Sequence, residues 1–407
     1  MNIVKDIRYI FVNLCRLAVS ATFIFSGLVK LIDPVGTQYK IEDYAVAMSL
    51  DGVLSSPTPL ALAVILAIAE FCLGVYLFFG IRRRITTYTI LGLMLVYTPL
   101  TLWLAISNAV ADCGCFGDAV VLTNWQTFWK NAFLLLAALV LFRHGNLLTR
   151  FISEPVQWLI SLYSVIYSGF LTALCLYGEP IIDFRPFHIG QNIPAAMVWP
   201  EDPEQVPEII DFYIEPLTTD ADLSHPSSGI PTPCPDTETL LADTSYTFLL
   251  IAPRLETADD ANMERINALY DYARSGGYSF WCLTASGSEA ISRWQDLTGA
   301  EYGFGFVDEL TLKTMARSNP AIILLHNGTI VAKMGHRQLP DIKTLSGALQ
   351  TQPWAKPQPR SYRRLLLNLL LWYIVPLLVL TFFDRLVASI RWWHKKKTAQ
   401  KQKKTNL

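Results

Sequence analysis

Charged residues are scarce in this sequence. Only 16% of its 407 residues are Asp, Glu, Lys or Arg, whereas 52% are hydrophobic. Because soluble globular proteins average about 25% charged residues, the composition excludes an ordinary soluble protein along the whole chain. The apolar content and a formal net charge of −1 also exclude a disordered chain and a nucleic-acid-binding protein.

Acidic and basic residues are unevenly distributed along the chain. Residues 179–360 contain 24 of the 34 acidic residues and 12 of the 33 basic ones, a net charge of −12, and the remainder carries +11. This separation predicts an acidic domain placed between basic, apolar membrane segments.

Six apolar runs have about the length of 20 residues that a bilayer-spanning helix needs. They are approximately Ile10–Ile32, Leu60–Phe79, Ile85–Ser107, Trp125–Phe142, Val156–Leu176 and Leu365–Phe383. No small-residue cleavage site follows the first run, so we expect a retained helix rather than a signal peptide. The sequence therefore predicts an integral membrane protein whose main partner is the lipid bilayer.

The basic residues predict how these spans are oriented, because cytoplasmic loops are enriched in Lys and Arg. Basic side chains precede the first run, separate the second from the third and the fourth from the fifth, and follow the sixth, where residues 385–407 hold eight of them. This pattern predicts six membrane helices with both termini cytoplasmic. In a bacterium we expect an inner-membrane protein whose residues 179–360 are periplasmic.

Five of the seven cysteines are interpreted as isolated thiols. Cys15, Cys72 and Cys175 lie in predicted membrane helices, where a cysteine is usually a small apolar side chain. Cys282 lies in a predicted buried strand. Cys234 lies in a proline-rich loop and is predicted to be the most exposed single thiol.

The other two cysteines lie in Asp112-Cys-Gly-Cys-Phe-Gly-Asp118, at the outer end of the third predicted helix. The glycines permit a tight turn in which both sulfurs face one point, so Cys113 and Cys115 could alternate between a dithiol and a strained disulfide. Two other interpretations stay open. The loop could be a structural turn, or the thiolates could bind a metal together with Asp112 and Asp118.

Glu70 is predicted near the middle of the second membrane helix, where a carboxylate is costly unless it is paired or protonated. We interpret it either as a proton relay or ligand contact, or as one half of a structural ion pair. Arg16, inside the first run, is a candidate partner. Lys30, near the end of that run, is interpreted as a long side chain that extends towards the interface.

The first four predicted helices resemble the DoxX/MauE-type four-helix membrane domain over roughly residues 8–145. The resemblance rests on Phe25-Ser-Gly-Leu-Val-Lys-Leu-Ile-Asp-Pro34 followed by Glu42, the helix containing Glu70, Cys113-Gly-Cys-Phe-Gly-Asp118, and Trp125-Gln-Thr-Phe128. MauE-like proteins are associated with methylamine utilisation and with maturation of a disulfide-rich enzyme, and DoxX-like ones with quinone-linked oxidation. The bundle is more remotely similar to membrane thiol–quinone oxidoreductases of the vitamin K epoxide reductase type. These similarities imply a redox role for Cys113 and Cys115 and a quinone as the candidate cofactor.

The order of five helices, an outer domain and one further helix resembles that of DoxX-family proteins of Bacteroidetes. The segment from Asp183 to Ile193, Asp-Phe-Arg-Pro-Phe-His-Ile-Gly-Gln-Asn-Ile, is typical of that group.

Residues 245–350 alternate predicted strands and helices. The strands are Ser245–Pro253, Tyr278–Thr284, Ala321–His326 and Thr329–Met334, and the helices are Ala258–Arg274, Ser288–Leu297, Glu309–Ala316 and Pro340–Leu349. This order resembles a TlpA-like thioredoxin fold, with Pro320 where that fold carries its cis-proline. The Cys-x-x-Cys expected after the first strand is replaced by Ala252-Pro-Arg-Leu-Glu256, so we expect a degenerate domain that binds or scaffolds.

The predicted fold class is an α-helical membrane protein, a four-helix DoxX/MauE-like bundle plus two further membrane helices, with an α/β thioredoxin-like soluble domain. The predicted boundaries are 1–150 for the bundle, 151–178 for the fifth helix, 179–244 for an extra segment, 245–355 for the thioredoxin-like domain, 363–384 for the sixth helix and 385–407 for a basic tail.

Two functions follow as hypotheses. The first is a thiol–quinone redox protein that acts on a periplasmic thiol protein, and the second is a non-enzymatic scaffold or assembly factor whose outer domain binds an envelope partner. The candidate catalytic residues are Cys113, Cys115 and Glu70, the candidate binding residues are Arg16, Lys30, Asp112, Asp118 and Trp125, and Pro320 is a candidate structural residue.

Overall fold

The computed structural model describes residues 3–50, 52, 57–200, 206–210, 212–216, 234–356 and 361–405. The chain divides into two compact units. The first comprises Met1–Leu174 and Leu366–Leu407, and the second comprises Cys175–Leu365. Parts of the segment predicted at 179–244, and the last two residues of the basic tail, lie outside the described residues.

The helices and strands are numbered in chain order. The α-helices are α1 (Ile3–Ile32), α2 (Pro34–Ala47), α3 (Thr58–Phe79), α4 (Arg83–Ser107), α5 (Asn124–His144), α6 (Gln157–Tyr177), α7 (Ile193–Ala196), α8 (Thr237–Ala242), α9 (Met263–Ser275), α10 (Ser288–Thr298), α11 (Glu309–Met315) and α12 (Tyr362–Thr405). The β-strands are β1 (Glu215–Pro216), β2 (Tyr246–Ala252), β3 (Ser279–Thr284), β4 (Gly303–Phe306), β5 (Ala321–His326) and β6 (Thr329–Gly335).

Six helices of the described chain are long and apolar enough to cross a membrane: α1, α3, α4, α5, α6 and α12. Each predicted run falls on one of them, so the prediction of six apolar helices of membrane-spanning length is confirmed for the described residues. The sixth differs in length, because α12 continues as a helix to Thr405, whereas the apolar run ends at Phe383.

Helix α2 was not predicted. It starts directly after α1, where the Asp33 side chain accepts a hydrogen bond from the Gly36 amide (2.8 Å) and Pro34 occupies the first helical position. Its 14 residues include polar and charged side chains, so no apolar run marks it. This helix adds residues to the site described below.

Helices α1 and α3 approach each other closely at two glycines. A Cβ atom added to Gly27 would clash with the Phe71 backbone, and one added to Gly74 would lie 2.7 Å from the Ile24 nitrogen. Close backbone approach at small residues is a common way to pack membrane helices. The close approach holds the Lys30 turn of α1 next to the Glu70 turn of α3.

We therefore predict opposite effects for two glycine substitutions. Gly27→Ala would force α1 and α3 apart and lower the midpoint of thermal unfolding in detergent. Gly92→Ala is the matched control, because Gly92 lies in α4 with no atom within 4 Å of its added Cβ, and helix propensity favours alanine by up to about 1 kcal/mol. Equal effects of the two substitutions would contradict the close-packing argument.

Over its described residues, the second unit contains a six-stranded mixed sheet with the order β1-β4-β3-β2-β5-β6. Strands β2, β3 and β4 are parallel, and β1, β5 and β6 pair with their neighbours antiparallel. The central strand β2, Tyr-Thr-Phe-Leu-Leu-Ile-Ala, is buried at every position, as expected for a strand covered on both faces.

Alternate side chains of β2 contribute to two hydrophobic cores. Phe248 and Leu250 pack with α9 on one face. Leu249 and Ile251 pack with α11 and with residues of the segment 187–214 on the other face. This second core accounts for part of the segment to which the sequence assigned no fold.

All four predicted strands of residues 245–350 and three of the four predicted helices are present. The structure differs from the prediction in one strand that was missed and one helix that does not form. Strand β4 was missed because Gly303 and Gly305 disfavour a strand by propensity. Glycine is needed at position 305 because a Cβ there would lie 2.8 Å from the Ile214 side chain.

The predicted helix Pro340–Leu349 is instead a series of short 3₁₀ turns. The Asp341 side chain accepts from the Lys343 amide (3.2 Å), and Gly347 is left-handed (φ 77°), which ends regular helix there. The peptide bond before Pro320 is cis.

The segment from Asp183 to Ile193 is held to the sheet by buried charges. Asp183 accepts hydrogen bonds from Lys333 Nζ (2.7 Å) and Arg185 Nε (2.7 Å), and all three side chains are buried. Burial opposes ionisation of Asp183, but the charges of Lys333 and Arg185 prevail and lower its pKa to about 2. A buried, fully hydrogen-bonded network of this kind fixes position.

The prediction of an exposed Cys234 is wrong. Its side chain is only 1% exposed and belongs to the second core, and burial raises the pKa of its thiol to about 12. The reason is that residues near it return to the sheet, where Gly305 of β4 makes room for its sulfur. Cys282 is buried in β3 as predicted.

Candidate functional site

A cavity of about 250 Å³ lies within the first unit, between α1, α2, α3, α4, α5 and the loop that carries the two cysteines. Most of its walls are apolar, and its polar groups include several of the predicted residues. The polar and thiol side chains of the lining include Ser26, Lys30, Lys40, Tyr44, Glu70, Tyr97, Cys113, Cys115 and Lys130.

Glu70 is held by three donors. Lys30 Nζ lies 2.8 Å from Glu70 Oε2, Ser26 Oγ lies 2.7 Å from the same oxygen, and Tyr97 Oη donates to Oε1 at 2.7 Å. Glu70 is 2% exposed and Lys30 6%. Four hydrogen-bonding groups from α1, α3 and α4 therefore form one closed polar cluster among apolar side chains.

The same cluster holds the cysteine loop. The carbonyl oxygen of Cys115 lies 3.0 Å from Lys30 Nζ and 2.7 Å from Ser26 Oγ. The ammonium group of Lys30 thus contacts both the carboxylate of Glu70 and the backbone of the loop. Lys30 therefore links the buried ion pair to the cysteine loop.

Helix α2 holds the other half of the loop. Lys40 Nζ forms an ion pair with Asp112 Oδ2 (2.8 Å), and Tyr44 donates a hydrogen bond to the carbonyl oxygen of Cys113. The second carboxylate oxygen of Asp112 accepts from the Gly114 amide (2.8 Å). Gly114 is left-handed (φ 63°), and a Cβ there would collide with Lys40, so the turn requires glycine.

The two cysteine sulfurs face each other at 2.8 Å, and both residues are half-buried free thiols. The hydrogen bond between the sulfurs, reinforced by the charges of Lys130 and Lys30, lowers the pKa of Cys115 against the effect of burial. The same hydrogen bond, together with burial, raises the pKa of Cys113. The charges of Lys130 and Lys30 therefore favour the thiolate form at Cys115, whereas burial disfavours it at Cys113.

Lys130 is a further cation at the cavity. Its ammonium group lies 4.0 Å from the centre of the Phe116 ring, and Phe116 in turn packs edge-on against Phe25 (5.2 Å). A cation over an aromatic face is stabilised where water is scarce. Lys130 is therefore held close to the cysteine pair, although it forms no ion pair with any carboxylate in the described part of the chain.

Arg16 is not the partner of Glu70, which corrects the pairing considered from the sequence. Its guanidinium is buried and donates to the carbonyl oxygens of Thr149 (2.9 Å) and Phe78, and it lies 4.4 Å from the centre of the Phe151 ring. Lys30 takes that place because it lies beside Ser26 and opposite Glu70. The interpretation of Lys30 as a side chain extending to the interface is wrong for the same reason.

Asp118 and Trp125 also lie away from the cavity. Over the described residues the lining includes neither of them; Asp118 is exposed, and Trp125 is 49% exposed and packs against Phe128. No group of three or more His, Cys, Asp or Glu side chains able to hold a metal ion occurs in the described ranges.

Four residues of the cavity were not predicted from the sequence: Ser26, Lys40, Tyr44 and Tyr97. Ser26 precedes Lys30 by one helical turn, and this spacing was a usable signal. Lys40 and Tyr44 depend on α2, which no apolar run indicates. Tyr97 lies in an apolar helix where a tyrosine is ordinary, and only the packing of α4 against α3 reveals its contact with Glu70.

One comparison with known proteins identifies this region. Residues 8–143 match the family model of methylamine utilisation protein MauE. The match covers about a third of the chain and includes all of the cavity residues named above. No curated protein and no solved structure matches the chain. With six apolar helices and a MauE-like segment, the chain is an integral membrane protein.

We predict that the Lys30–Glu70 pair is costly to break from either side. Lys30→Met or Glu70→Leu should each lower the free energy of unfolding by about 3–5 kcal/mol, because each leaves a buried charge without its partner. The double substitution should cost less than the sum. Lys40→Met is the matched control, since the Lys40–Asp112 pair is 26% exposed on both sides and such pairs contribute about 0–1 kcal/mol. Additive single effects in a chemical unfolding experiment would contradict the pairing.

We also predict that Cys115 reacts first with an alkylating reagent. Its rate should rise with pH around a midpoint below the ordinary thiol pKa of about 8.5, because only the thiolate reacts. Lys130→Met should shift that midpoint upwards, and Lys130→Arg should restore it. Mass spectrometry of the labelled peptides distinguishes Cys113 from Cys115, and a midpoint unaffected by Lys130→Met would contradict the assigned role of this cation.

Proposed function

We propose that the MauE-like segment is a membrane thiol–quinone oxidoreductase in which Cys113 and Cys115 form the redox pair. The observation that carries the proposal is the contact of the two sulfurs, 2.8 Å apart, at an apolar cavity that contains the Lys30–Glu70–Tyr97 cluster. A simple structural turn needs neither the opposed thiol pKa values nor a cavity beside the sulfurs. In this role the chain is a membrane-bound enzyme.

The residues of the cavity fit a quinone. Apolar side chains such as Phe23, Leu66 and Met94 line most of it, and polar groups converge at one end, which is the usual composition of a site for a flat, mostly apolar ligand. Lys130 is the hydrogen-bond donor that would hold one of its oxygens, because Lys30 and Tyr97 already donate to Glu70. When bound, a quinone would supply an acceptor for two electrons and two protons.

The chemistry at the cysteines balances as follows. From one thiol and one thiolate, oxidation breaks the Cys113 S–H bond, forms the Cys113–Cys115 bond, and releases two electrons and one proton. A bound quinone would accept these, and its second proton would come from water. A dithiol of a partner protein then attacks the new disulfide, which returns Cys113 and Cys115 to the dithiol and leaves the partner oxidised. We take Cys115 as the starting thiolate because the charges of Lys130 and Lys30 favour its ionised form.

The proton released by the cysteine pair needs polar groups to carry it through the apolar cavity. The cluster of Glu70, Lys30 and Tyr97 provides them. Tyr97 donates to Glu70, and Lys30 bonds both Glu70 and the Cys115 carbonyl. These groups can take up the proton that the thiol pair releases and hold it at the Glu70 carboxylate until it is transferred. A carboxylate at membrane depth is otherwise costly.

We further propose an inner-membrane location with both termini cytoplasmic and residues 179–360 periplasmic. The contacts of the first unit support this topology. Arg83 donates to the Leu148 carbonyl (2.6 Å) and Arg385 to the Phe151 carbonyl (2.9 Å), so the basic segments at 82–84, 143–150 and 385–391 meet at one end of the helices. The positive-inside rule assigns that end to the cytoplasm.

For the second unit we propose a degenerate thioredoxin-like domain that binds an envelope partner. The support is the strand order β4-β3-β2-β5-β6, with Pro320 directly before β5. The turn after β2 carries no cysteine, and Cys234 and Cys282 are buried. This observation also favours the second candidate function, a non-enzymatic scaffold or assembly factor.

The deciding experiment follows the oxidation state of Cys113 and Cys115 in membranes. The reduced protein is mixed with a short-chain, water-soluble quinone, and free thiols are counted by alkylation and mass spectrometry. We expect Cys113 and Cys115 to become protected together while quinol forms, and Glu70→Gln to slow the reaction. Cys72→Ser is the matched control, since Cys72 is buried in α3 away from the cavity.

Two results would overturn the proposal. One is a pair that stays fully alkylatable after quinone addition. The other is quinol formation that continues at the same rate in the Cys113→Ser/Cys115→Ser variant. Either result would leave the scaffold as the favoured function.

A further inference from the structure

We infer that the C-terminal part of α12 and the connection before α6 form a binding site for the headgroup of an anionic phospholipid. The site is a groove of about 560 Å³ in the first unit. We name it the headgroup groove and define it by Ser153, Pro155, Asp384, Val387, Ala388, Arg391, Trp392, His394 and Lys395. It is remote in sequence from the cysteine cavity and has no part in the proposed redox chemistry.

The length of α12 creates the groove. The helix has 44 residues and is therefore about 66 Å long, roughly twice the thickness of the hydrocarbon core. Its apolar part ends at Phe383, and the following turns carry Trp392, Trp393 and basic residues. This part of the helix lies at the headgroup level, where Trp and Lys are enriched.

Asp384 and Arg385 hold this part of α12 against the chain before α6. Asp384 accepts hydrogen bonds from the amide (2.9 Å) and the hydroxyl group of Ser153, and it is 9% exposed. Arg385 donates to the carbonyl oxygens of Phe151 (2.9 Å) and Arg150 (2.5 Å). The wall of the groove is thus rigid, and the carboxylate of Asp384 is already engaged.

The cations further along the same face of α12 are not engaged. Asp384, Ala388, Arg391 and Lys395 follow one another at helical spacing and face the groove. In the described part of the chain no carboxylate forms an ion pair with Arg391 or Lys395. Lys396 and Lys397 differ, because they lie over the rings of Trp392 (5.0 Å) and Trp393 (3.8 Å).

The chemistry of the groove selects a phosphate diester with an acyl tail. Arg391 can bind two phosphate oxygens, and Lys395 adds a second positive charge beside them. Trp392 is 61% exposed and Val387 is 43% exposed, so an apolar surface continues from the cations towards the hydrocarbon core. A soluble phosphate would use the cations alone, whereas a phospholipid uses both, and anionic lipid is concentrated at the membrane surface.

The test compares two variants of equal charge. The full-length protein is reconstituted in nanodiscs of phosphatidylcholine with a small fraction of phosphatidylglycerol, and retained lipid is measured by native mass spectrometry after release. Arg391→Gln/Lys395→Gln removes the two groove cations, and Lys396→Gln/Lys397→Gln removes two cations outside it. We expect the first variant to lose about tenfold in phosphatidylglycerol retention and the second to stay within about twofold of the wild type.

Three results would overturn the inference. Equal loss of lipid in the two variants would indicate diffuse attraction by the basic tail, and equal retention of phosphatidylglycerol and phosphatidylcholine by the wild type would indicate no headgroup preference. Displacement of the lipid by millimolar glycerol 3-phosphate would indicate a site for soluble phosphate. Unchanged helical circular dichroism of both variants confirms that they fold. Because the readout is bound lipid, its failure leaves the redox proposal unaffected, and the reverse also holds.

Discussion

The ion pair between Lys30 and Glu70 is the interaction on which the membrane site depends. A carboxylate and an ammonium group buried among apolar helices are tolerable only because each satisfies the other and because Ser26 and Tyr97 complete their hydrogen bonds. The pair needs the short distance between α1 and α3, and that distance needs Gly27 and Gly74. In turn the pair positions the Cys115 carbonyl and thereby the cysteine loop. The close packing of α1 and α3 thus permits the buried ion pair, and the ion pair holds the cysteine loop.

The two cysteines are chemically different although they are separated by one residue. Cys113 lies next to α2, where Tyr44 bonds its carbonyl oxygen, and Cys115 is bound from the side of α1. A symmetric pair of thiols would share a proton equally. The asymmetric surroundings instead make the two sulfurs unequal, because the charges of Lys130 and Lys30 favour the ionised form of Cys115.

The sequence predicted the membrane helices well because hydrophobic length is a property of local composition. It also indicated Cys113, Cys115 and Glu70, since thiols in a short glycine-rich loop and a carboxylate at membrane depth are conspicuous on their own. It could not predict which cation pairs with Glu70. Arg16 and Lys30 lie in the same helix, and the choice depends on the angle and position at which α1 crosses α3. Similarly, Cys234 stands in a proline-rich stretch that suggests exposure, and only the return of the chain to β4 buries it.

The place of the second unit in the chain has a consequence for proteolysis. The chain enters this unit from α6 and leaves it into α12, so both of its ends continue into membrane helices. A single cut between Gly178 and Ser361 therefore releases nothing, because each fragment keeps an anchor of its own. Two cuts are required to shed a soluble fragment. A partner bound to this unit is consequently confined to the surface of the membrane for as long as the complex lasts.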